Sequence, residues 1–277
     1  MTANRVEWPQ KYEVLRVRVS AAEYNEAVDC IVEAARRGQA ALASFYPAHG
    51  IVSSDRDERL LERVNSFDLI GADGQSVRWA LNALYGLCLA ERVYGPETML
   101  RVCERAAAES LPVYLYGGSS DAVLDALSSN LLERFPGLQI AGAESPPFRP
   151  LTSEEDSEVV RRVRESGAKI LFVGIGCPKQ EHFAYEHRES LGVVQLCVGA
   201  AFDFHAGVKP MAPSWMQRRG LEWLFRLASE PRRLAGRYVS TNSLFVAGFA
   251  QQWVRQRVRG EQARSHTQKM NSKSTTN

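Results

Sequence analysis

The segment that most constrains the fold is residues 170–213, where two apolar runs each end in a turn that contains glycine. The first run, Ile170–Val173, breaks at a Gly-Ile-Gly turn, and an amphipathic segment follows from His182 to Leu191. The second run, Val193–Val198, breaks at Gly199. This order is typical of a parallel βαβ unit. The carboxyl ends of such strands face the ligand crevice of an open α/β sheet, so we expect the functional site at this edge.

The same alternation runs along the preceding part of the chain. The pattern predicts strands at residues 12–19, 41–46, 68–70, 112–116 and 138–141, and helices at 21–37, 59–65, 76–85, 97–110, 121–135 and 154–165. Ser20 and Glu23 form a capping-box pattern at the first helix. We therefore predict an α/β fold with a Rossmann-like parallel-sheet body in two lobes and a helical C-terminal appendage.

Three regions differ in composition. Residues 1–213 form the predicted body, and residues 214–259 form an appendage rich in arginine and tryptophan. Residues 260–277 are polar and poor in aromatic residues, so we expect disorder there. From Arg232 onward the chain has nine basic residues and one acidic residue, whereas the preceding residues carry 25 basic and 31 acidic side chains. A basic end on an acidic body predicts an anionic partner for that end.

The cysteines and the apolar segments limit where the protein resides. The five cysteines are scattered and odd in number, which favours reduced thiols in a cytoplasm over a disulfide framework. The N-terminal residues lack the apolar core of a signal peptide, and no apolar run approaches the ~20 residues of a spanning helix. Cys177 lies in a glycine turn, but nothing around it in the sequence supports a nucleophile.

Glycine turns and polar side chains follow several predicted strands. The turns at Gly117–Gly118 and Gly174–Gly176 can bring backbone N–H groups close to a phosphate, or can simply be tight strand–helix turns. Asp73 follows a short strand, where it can act as a general base or cap the next helix. Gln180 can hydrogen-bond a sugar or a base, and Glu181 can favour the first turn of a helix.

Metal ligation receives little support from the sequence. Asp203 and His205 would project the same way from an extended chain, as a catalytic or metal pair, although structural pairing fits this short pattern better. Asp55 and Asp57 resemble a metal-binding DxD but do not follow an apolar strand, so we interpret them as a solvated helix start. The other histidines have no ligand spacing. We predict no metal and no cofactor.

The C-terminal arginines and tryptophans permit three interpretations. The region can lie on an anionic membrane surface, bind nucleic acid, or pack as an ordinary helix on the core. No nucleic-acid recognition motif accompanies the charge, so nucleic acid is not an expected partner. Glu222, Trp223 and Arg226 fall within about one helical turn, which favours a formed site.

These segments, in this order, resemble the WecG/TagA/CpsF glycosyltransferases, which form glycosyltransferase family 26. GADGQSVRWAL, ERVYG, YLYGGSSDAV, RFPGLQIAG and VGIGCPKQE are similar to family segments, the last to the pattern G-x-G-x-PKQE. The long segment from Val198 to Tyr238 follows the family pattern almost residue by residue. The resemblance runs from about Val14 to Phe249.

The resemblance implies transfer of a sugar from a nucleotide-sugar donor to a polyprenyl-diphosphate-linked saccharide, with inversion and without a required metal. It implies that Asp73 is the catalytic base, that Arg92 binds the donor diphosphate, and that Gln180 contacts the sugar. Other positions of the matching segments are expected to bind substrate: His49, Gly117, Gly118, Gly174, Gly176, Lys179, Glu181, Asp203, Arg226, Arg232, Arg233 and Arg237. The enzyme is expected on the cytoplasmic face of a membrane, peripherally bound and in a possible homo-oligomer.

One departure from the family pattern falls in the expected site. The family usually carries an asparagine after the second strand, and Pro47 stands in its place, followed by Ala48 and His49. Proline cannot supply the hydrogen bond of that side chain. A non-catalytic relative that binds a nucleotide-sugar or a lipid diphosphate is therefore the alternative function.

Overall fold

Six parallel strands form one sheet in the computed structural model, which describes residues 5–229, 231, 236 and 240–258. A two-stranded hairpin, β1 (Lys11–Val14) and β2 (Val17–Ser20), precedes the sheet. The sheet strands are β3 (Ala41–Tyr46), β4 (Leu69–Ala72), β5 (Val113–Gly117), β6 (Ile140–Glu144), β7 (Ile170–Gly174) and β8 (Val194–Cys197). Their order is β4-β3-β8-β7-β5-β6. The predicted α/β fold with a parallel sheet is confirmed.

Helices connect the strands and cover both faces of the sheet. They are α1 (Tyr24–Arg36), α2 (Ala48–Arg56), α3 (Glu58–Asn65), α4 (Gln75–Tyr85), α5 (Gly95–Ala108), α6 (Asp121–Arg134), α7 (Ser153–Glu165), α8 (Lys179–Glu186), α9 (Arg188–Leu191), α10 (Ala201–His205), α11 (Ser214–Arg218) and α12 (Glu222–Ser229). Residues 240–258 form a further helix, α13.

The central strands are buried on both faces, which explains their continuous apolar runs. In β3 all six residues are buried, and successive residues enter different cores. Ala41 and Phe45 pack in the core beneath α1, α5 and α6, while Leu42 and Tyr46 pack in the core beneath α2, α3 and α8. Because the strands form one continuous sheet, a division into two lobes is not confirmed.

The N-terminal prediction was wrong in two details. The predicted strand at residues 12–19 is a hairpin, since the chain reverses at Leu15, whose φ is +56°. The predicted capping box does not form, because α1 begins only at Tyr24 and its N-cap Glu23 makes no side-chain cap bond. Ser20 lies at the end of β2, where its hydroxyl accepts the backbone N–H of Ile70 at 3.1 Å.

The sequence pattern did not predict α2, which lies between β3 and α3 and includes the first aspartate of the DxD pattern. Pro47 is the N-cap of α2 but offers no side-chain hydrogen bond, so the usual polar start signal is absent. Asp57 caps α3 by accepting the N–H of Leu60 at 3.1 Å, and Asp55 pairs with Arg16 at 3.0 Å. Both aspartates are thus engaged in local structure.

The C-terminal helices pack against the body. In α13 Phe245 is buried, and Gln252 binds the turn of the N-terminal hairpin through both ends of its amide. The described residues include no helix with the length and apolar character needed to cross a membrane. Arg232, Arg233, Arg237 and the expected tail at 260–277 lie outside the described residues, and the domain boundary at 213 stays a prediction.

Candidate active site

A cavity of about 970 Å³ opens at the carboxyl ends of β3, β4, β7 and β8, between the body and the C-terminal helices. This is the sheet edge at which open α/β folds bind ligands. The body contributes His49, Asp73, Arg92 and Gln180 among the lining residues. The opposite wall is formed by residues of α12 and α13: Glu222, Trp223, Phe225, Arg226, Ser229, Asn242, Phe245 and Val246.

Asp73 follows β4 directly and lies at the cavity wall. It does not cap α4, because the N-cap of that helix is Gly74 and no side-chain cap bond forms. Burial raises the pKa of Asp73 to about 7, the nearby Glu222 adds to the shift, and Arg92 and Arg226 oppose it. A carboxyl group with a pKa near neutrality can both take and hold a proton at physiological pH, as a general base must.

Glu222 joins the two cationic side chains beside Asp73. Its Oε2 lies 2.5 Å from Nη2 of Arg92, and its Oε1 lies 3.1 Å from Nε of Arg226. Arg92 and Glu222 are each about 10% exposed in their side chains, so this is a nearly buried pair. Two guanidinium groups, one from the body and one from α12, therefore lie close together where the two sides of the cavity meet. Guanidinium groups of this kind bind phosphate oxygens.

Aromatic rings fix the positions of both arginines. The guanidinium of Arg92 lies 4.3 Å from the ring centroid of Tyr94, and that of Arg226 lies 4.9 Å from the ring of Phe204. Arg226 also donates to the Tyr94 hydroxyl at 3.2 Å. Burial raises the pKa of Tyr94 well above its ordinary value, so its phenol is neutral. Such stacking orders an arginine side chain without consuming most of its N–H donors.

Gln180 and Glu181 lie at the start of α8, where both are buried and line the same cavity. Oε1 of Glu181 accepts the Gln180 amide at 2.9 Å and the Ser44 hydroxyl at 2.9 Å. Burial raises the pKa of Glu181, although these hydrogen bonds oppose the shift. Within the described part of the chain, Oε1 of Gln180 and Oε2 of Glu181 are buried without a hydrogen-bond partner.

The remaining predicted site residues divide into two groups. His49, Gly176 and Arg226 line the cavity together with Pro47. The lining does not include Gly117, Gly118, Gly174, Lys179 or Asp203. Arg232, Arg233 and Arg237 are outside the described residues. The substrate-binding roles of all these positions stay predictions.

The glycines at the ends of β5 and β7 allow the two strands to approach each other. A Cβ on Gly117 would stand 2.5 Å from the backbone carbon of Gly174, and Gly117 has a φ of +142°. The N–H of Gly118 donates to the carbonyl of Gly174 at 3.2 Å. Close backbone packing therefore explains why glycines stand at these two strand ends, and phosphate binding by the turns stays a prediction.

Asp203 and His205 do not project together from an extended strand, because both lie in the short helix α10. Asp203 pairs with Lys209 at 2.6 Å, and Nε2 of His205 lies 2.9 Å from the carbonyl of Pro96. Both side chains are engaged in local structure. In the described residues no group of three or more His, Cys, Asp or Glu side chains is arranged to hold a metal ion.

Sequence patterns did not reveal several residues that complete the site. Ser44 lies in the middle of a buried strand, and Tyr94 and Phe204 look like ordinary core aromatics. Glu222 was noted beside Arg226 but not as a partner of Arg92, 130 positions away. An acidic residue one turn from an arginine on a helix was the signal available.

A known protein family matches most of the chain. Residues 12–259 match the family described as the glycosyl transferase WecG/TagA/CpsF family. The match includes the parallel sheet, the cavity and the C-terminal helices that close it. The chain therefore belongs to the WecG/TagA/CpsF family of glycosyl transferases.

Proposed function

We propose that this protein is an inverting glycosyltransferase that needs no metal ion. It moves a sugar from a UDP-linked donor, of the hexose or N-acetylmannosamine type, to a polyprenyl-diphosphate-linked saccharide. Family membership supports the coarser role, a glycosyltransferase of cell-surface polymer synthesis with a nucleotide-sugar donor and a saccharide acceptor. The protein would act at the cytoplasmic face of the membrane, as a peripheral enzyme of exopolysaccharide or cell-envelope synthesis.

The observation that carries the proposal is the position of Asp73 beside Arg92 and Arg226 in one cavity. Asp73 would take the proton of the acceptor hydroxyl as its oxygen attacks the anomeric carbon of the donor. The bond from that carbon to the diphosphate oxygen breaks on the opposite face, which inverts the configuration. The two guanidinium groups would stabilise the negative charge that develops on the leaving diphosphate.

The C-terminal helices support the peripheral membrane position. Trp215, Leu224, Val246 and Val254 are exposed large apolar side chains on α11, α12 and α13. Trp and other apolar side chains near arginines suit the boundary between lipid headgroups and acyl chains. Because Trp223 and Val246 also line the cavity, the same helices would bring a lipid-linked acceptor to Asp73.

The test is turnover with defined donors. Purified protein is titrated with UDP-N-acetylmannosamine, UDP-glucose, UDP-glucuronic acid, GDP-mannose and UDP while its thermal midpoint is followed, since a ligand of the native state raises that midpoint. The donor that binds is then incubated with a polyprenyl-diphosphate saccharide, using wild type and Asp73→Asn. Product from wild type alone supports the proposal, and no binding of any nucleotide contradicts it.

A non-catalytic binding protein is the second candidate, favoured by Pro47 in the cavity wall. Pro47 offers neither an amide nor a backbone N–H where the family usually carries asparagine. This candidate predicts that a UDP-sugar binds but is not transferred by wild type. Recovery of transfer in Pro47→Asn would identify the missing amide as the cause, whereas turnover by wild type excludes this candidate.

A further inference from the structure

Among the described residues, the Gln180–Glu181 pair presents two buried oxygens without a hydrogen-bond partner in the cavity, and Oε1 of Gln75 is a third in the same lining. Gln180 is 4% exposed and Glu181 is 1% exposed, so both side chains are almost removed from water. Nevertheless both residues belong to the cavity lining. Buried polar atoms are normally hydrogen-bonded, because an unmet group forfeits its hydration without compensation. The Cys177 thiol can donate to the Glu181 carboxyl, so the Gln180 carbonyl is the oxygen of this pair for which a ligand would supply the missing donor.

The local hydrogen bonds determine which end of the Gln180 amide is available. Oε1 of Glu181 accepts from Nε2 of Gln180 and from the hydroxyl of Ser44, each at 2.9 Å. Because Oε1 of Glu181 is a hydrogen-bond acceptor, the Gln180 amide turns its nitrogen toward Glu181. The carbonyl oxygen of Gln180 consequently remains as the atom that a ligand meets, and it can only accept.

The backbone holds this arrangement from both sides. The thiol of Cys197, in β8, contacts the main-chain carbonyl of Gln180 at 3.4 Å. Gly199, with a φ of +54°, leaves the space over Oε1 of Gln180 open, because a Cβ there would already stand 3.6 Å from that oxygen. A larger side chain at this position would cover the acceptor.

We propose that Glu181, together with Ser44, is a positioning residue that turns the Gln180 carbonyl toward the transferred sugar, so that the site selects a donor with a hydroxyl or amide N–H at that contact. This inference rests on the proposed function and specifies the sugar that the site accepts. A site that hydrogen-bonds a substrate group rejects analogues without that group far more strongly than an apolar pocket does.

Fluorinated donors provide the test, since fluorine replaces a hydroxyl in size but cannot donate a hydrogen bond. Wild type is assayed with UDP-glucose and UDP-N-acetylmannosamine and with their monofluoro analogues at each remaining hydroxyl position. We expect one position at which fluorine lowers binding by tenfold or more, a magnitude typical of a lost contact to a buried group. In Glu181→Met the Gln180 amide is free to turn. The loss of binding on fluorination should therefore shrink to less than about threefold, while KM for the parent sugar rises.

Gln195→Met is the matched control. Gln195 is another buried glutamine with an unpartnered Oε1, but it lies in β8 away from the cavity lining. This variant should keep the discrimination of wild type. Glu181→Met leaves the Gln180 amide and the Ser44 hydroxyl without their acceptor, so its thermal midpoint should fall and is measured alongside, to show that the variant is still folded at the assay temperature.

Three results would overturn the inference. Wild type that binds every fluorinated analogue as well as its parent, and binds UDP-glucose as well as UDP-N-acetylmannosamine, would show that neither a sugar hydroxyl nor an acetamido N–H meets Gln180. Full discrimination in Glu181→Met would show that Glu181 does not position the amide, while the proposed transferase function would stand. Absence of binding by any nucleotide-sugar to wild type would contradict both the inference and the proposed function.

Discussion

Arg92 of the body and Glu222 of α12 form a nearly buried ion pair, with Nη2 and Oε2 2.5 Å apart. The pair joins the loop after α4 to the C-terminal helices at the cavity wall. Glu222 also accepts from Arg226, so one carboxylate holds a body arginine and an appendage arginine together. Through this contact, the docking of α12 determines whether both guanidinium groups face the same cavity.

We expect Glu222→Gln to loosen α12 from the body. Removing one partner of a buried ion pair costs about 3–5 kcal/mol, because the remaining charge stays desolvated. Hydrogen exchange of the amides of α12 should therefore accelerate by at least about 100-fold. Glu158→Gln is the control, since it removes a solvent-exposed pair with Arg161, which is worth at most about 1 kcal/mol. Equal protection of α12 in wild type and Glu222→Gln would contradict the prediction.

The pH dependence of turnover should report Asp73. With a pKa of about 7 in the folded protein, its basic form is the minority below pH 7 and dominant above it. We therefore expect kcat/KM to rise about tenfold per pH unit below pH 7 and to level off above it. Asp73→Asn should lower kcat by at least about 100-fold and abolish the rise of kcat/KM with pH, while UDP binding persists. Turnover that is independent of pH between 5 and 8 would remove Asp73 from the role of base.

The same carboxyl should make stability depend on pH in the opposite sense to an ordinary aspartate. Its folded pKa of about 7 lies above the unfolded value of about 3.9, so its contribution is complete below pH 4 and is lost as pH rises through 7. Asp73→Asn should thus raise the thermal midpoint at pH 8 and leave it nearly unchanged at pH 4. Asp125→Asn, at an exposed position of α6, is the comparison variant. A midpoint that falls at pH 8 in Asp73→Asn would contradict the burial argument.

Gln252 should control the attachment of α13 to the N-terminal hairpin. Its Oε1 accepts the N–H of Leu15 and its Nε2 donates to the carbonyl of Glu13, both at 2.8 Å. Gln252→Ala removes both bonds, which should cost about 1–2 kcal/mol and speed the exchange of amides in α13. The exposed neighbour Gln251 provides the control as Gln251→Ala. Similar effects from the two variants would show that the hairpin contact does not hold the helix.

Association with anionic vesicles should depend on the exposed aromatic side chain of α11. Trp215 is 51% exposed, so a lipid interface can bury about half of its surface, a contribution of about 1.5 kcal/mol. Trp215→Ser should weaken sedimentation with anionic vesicles by roughly tenfold, and added salt should weaken it further. Phe148→Ser removes an aromatic side chain that is 82% exposed on the body and should have no effect. Equal losses from both variants would argue against a membrane face on the C-terminal helices.

The sequence was sufficient to predict the alternating strands and helices of the body. Parallel strands that are buried on both faces are predominantly apolar, as β3, β5, β7 and β8 are, and this signal is visible in the sequence. The sequence was less informative about elements that begin or turn without a clear local sequence signal. The N-terminal hairpin turns at Leu15, a residue type that rarely adopts a positive φ, and α2 begins after a proline that gives no polar cap.

The sequence by itself determined the sheet and the edge at which the cavity lies, and its resemblance to the family added Asp73, Arg92 and Gln180 as candidates there. Only the tertiary structure decided what those side chains meet. Glu222 reaches Arg92 across 130 positions, and Ser44 reaches Glu181 across 137, so no local pattern could reveal either contact. The hydrophobic pattern of a sequence shows which face of a helix or strand is buried, because each buried position independently favours an apolar residue. Partners across the cavity depend on how the sheet, α8 and α12 pack together, and that arrangement is a property of the whole fold.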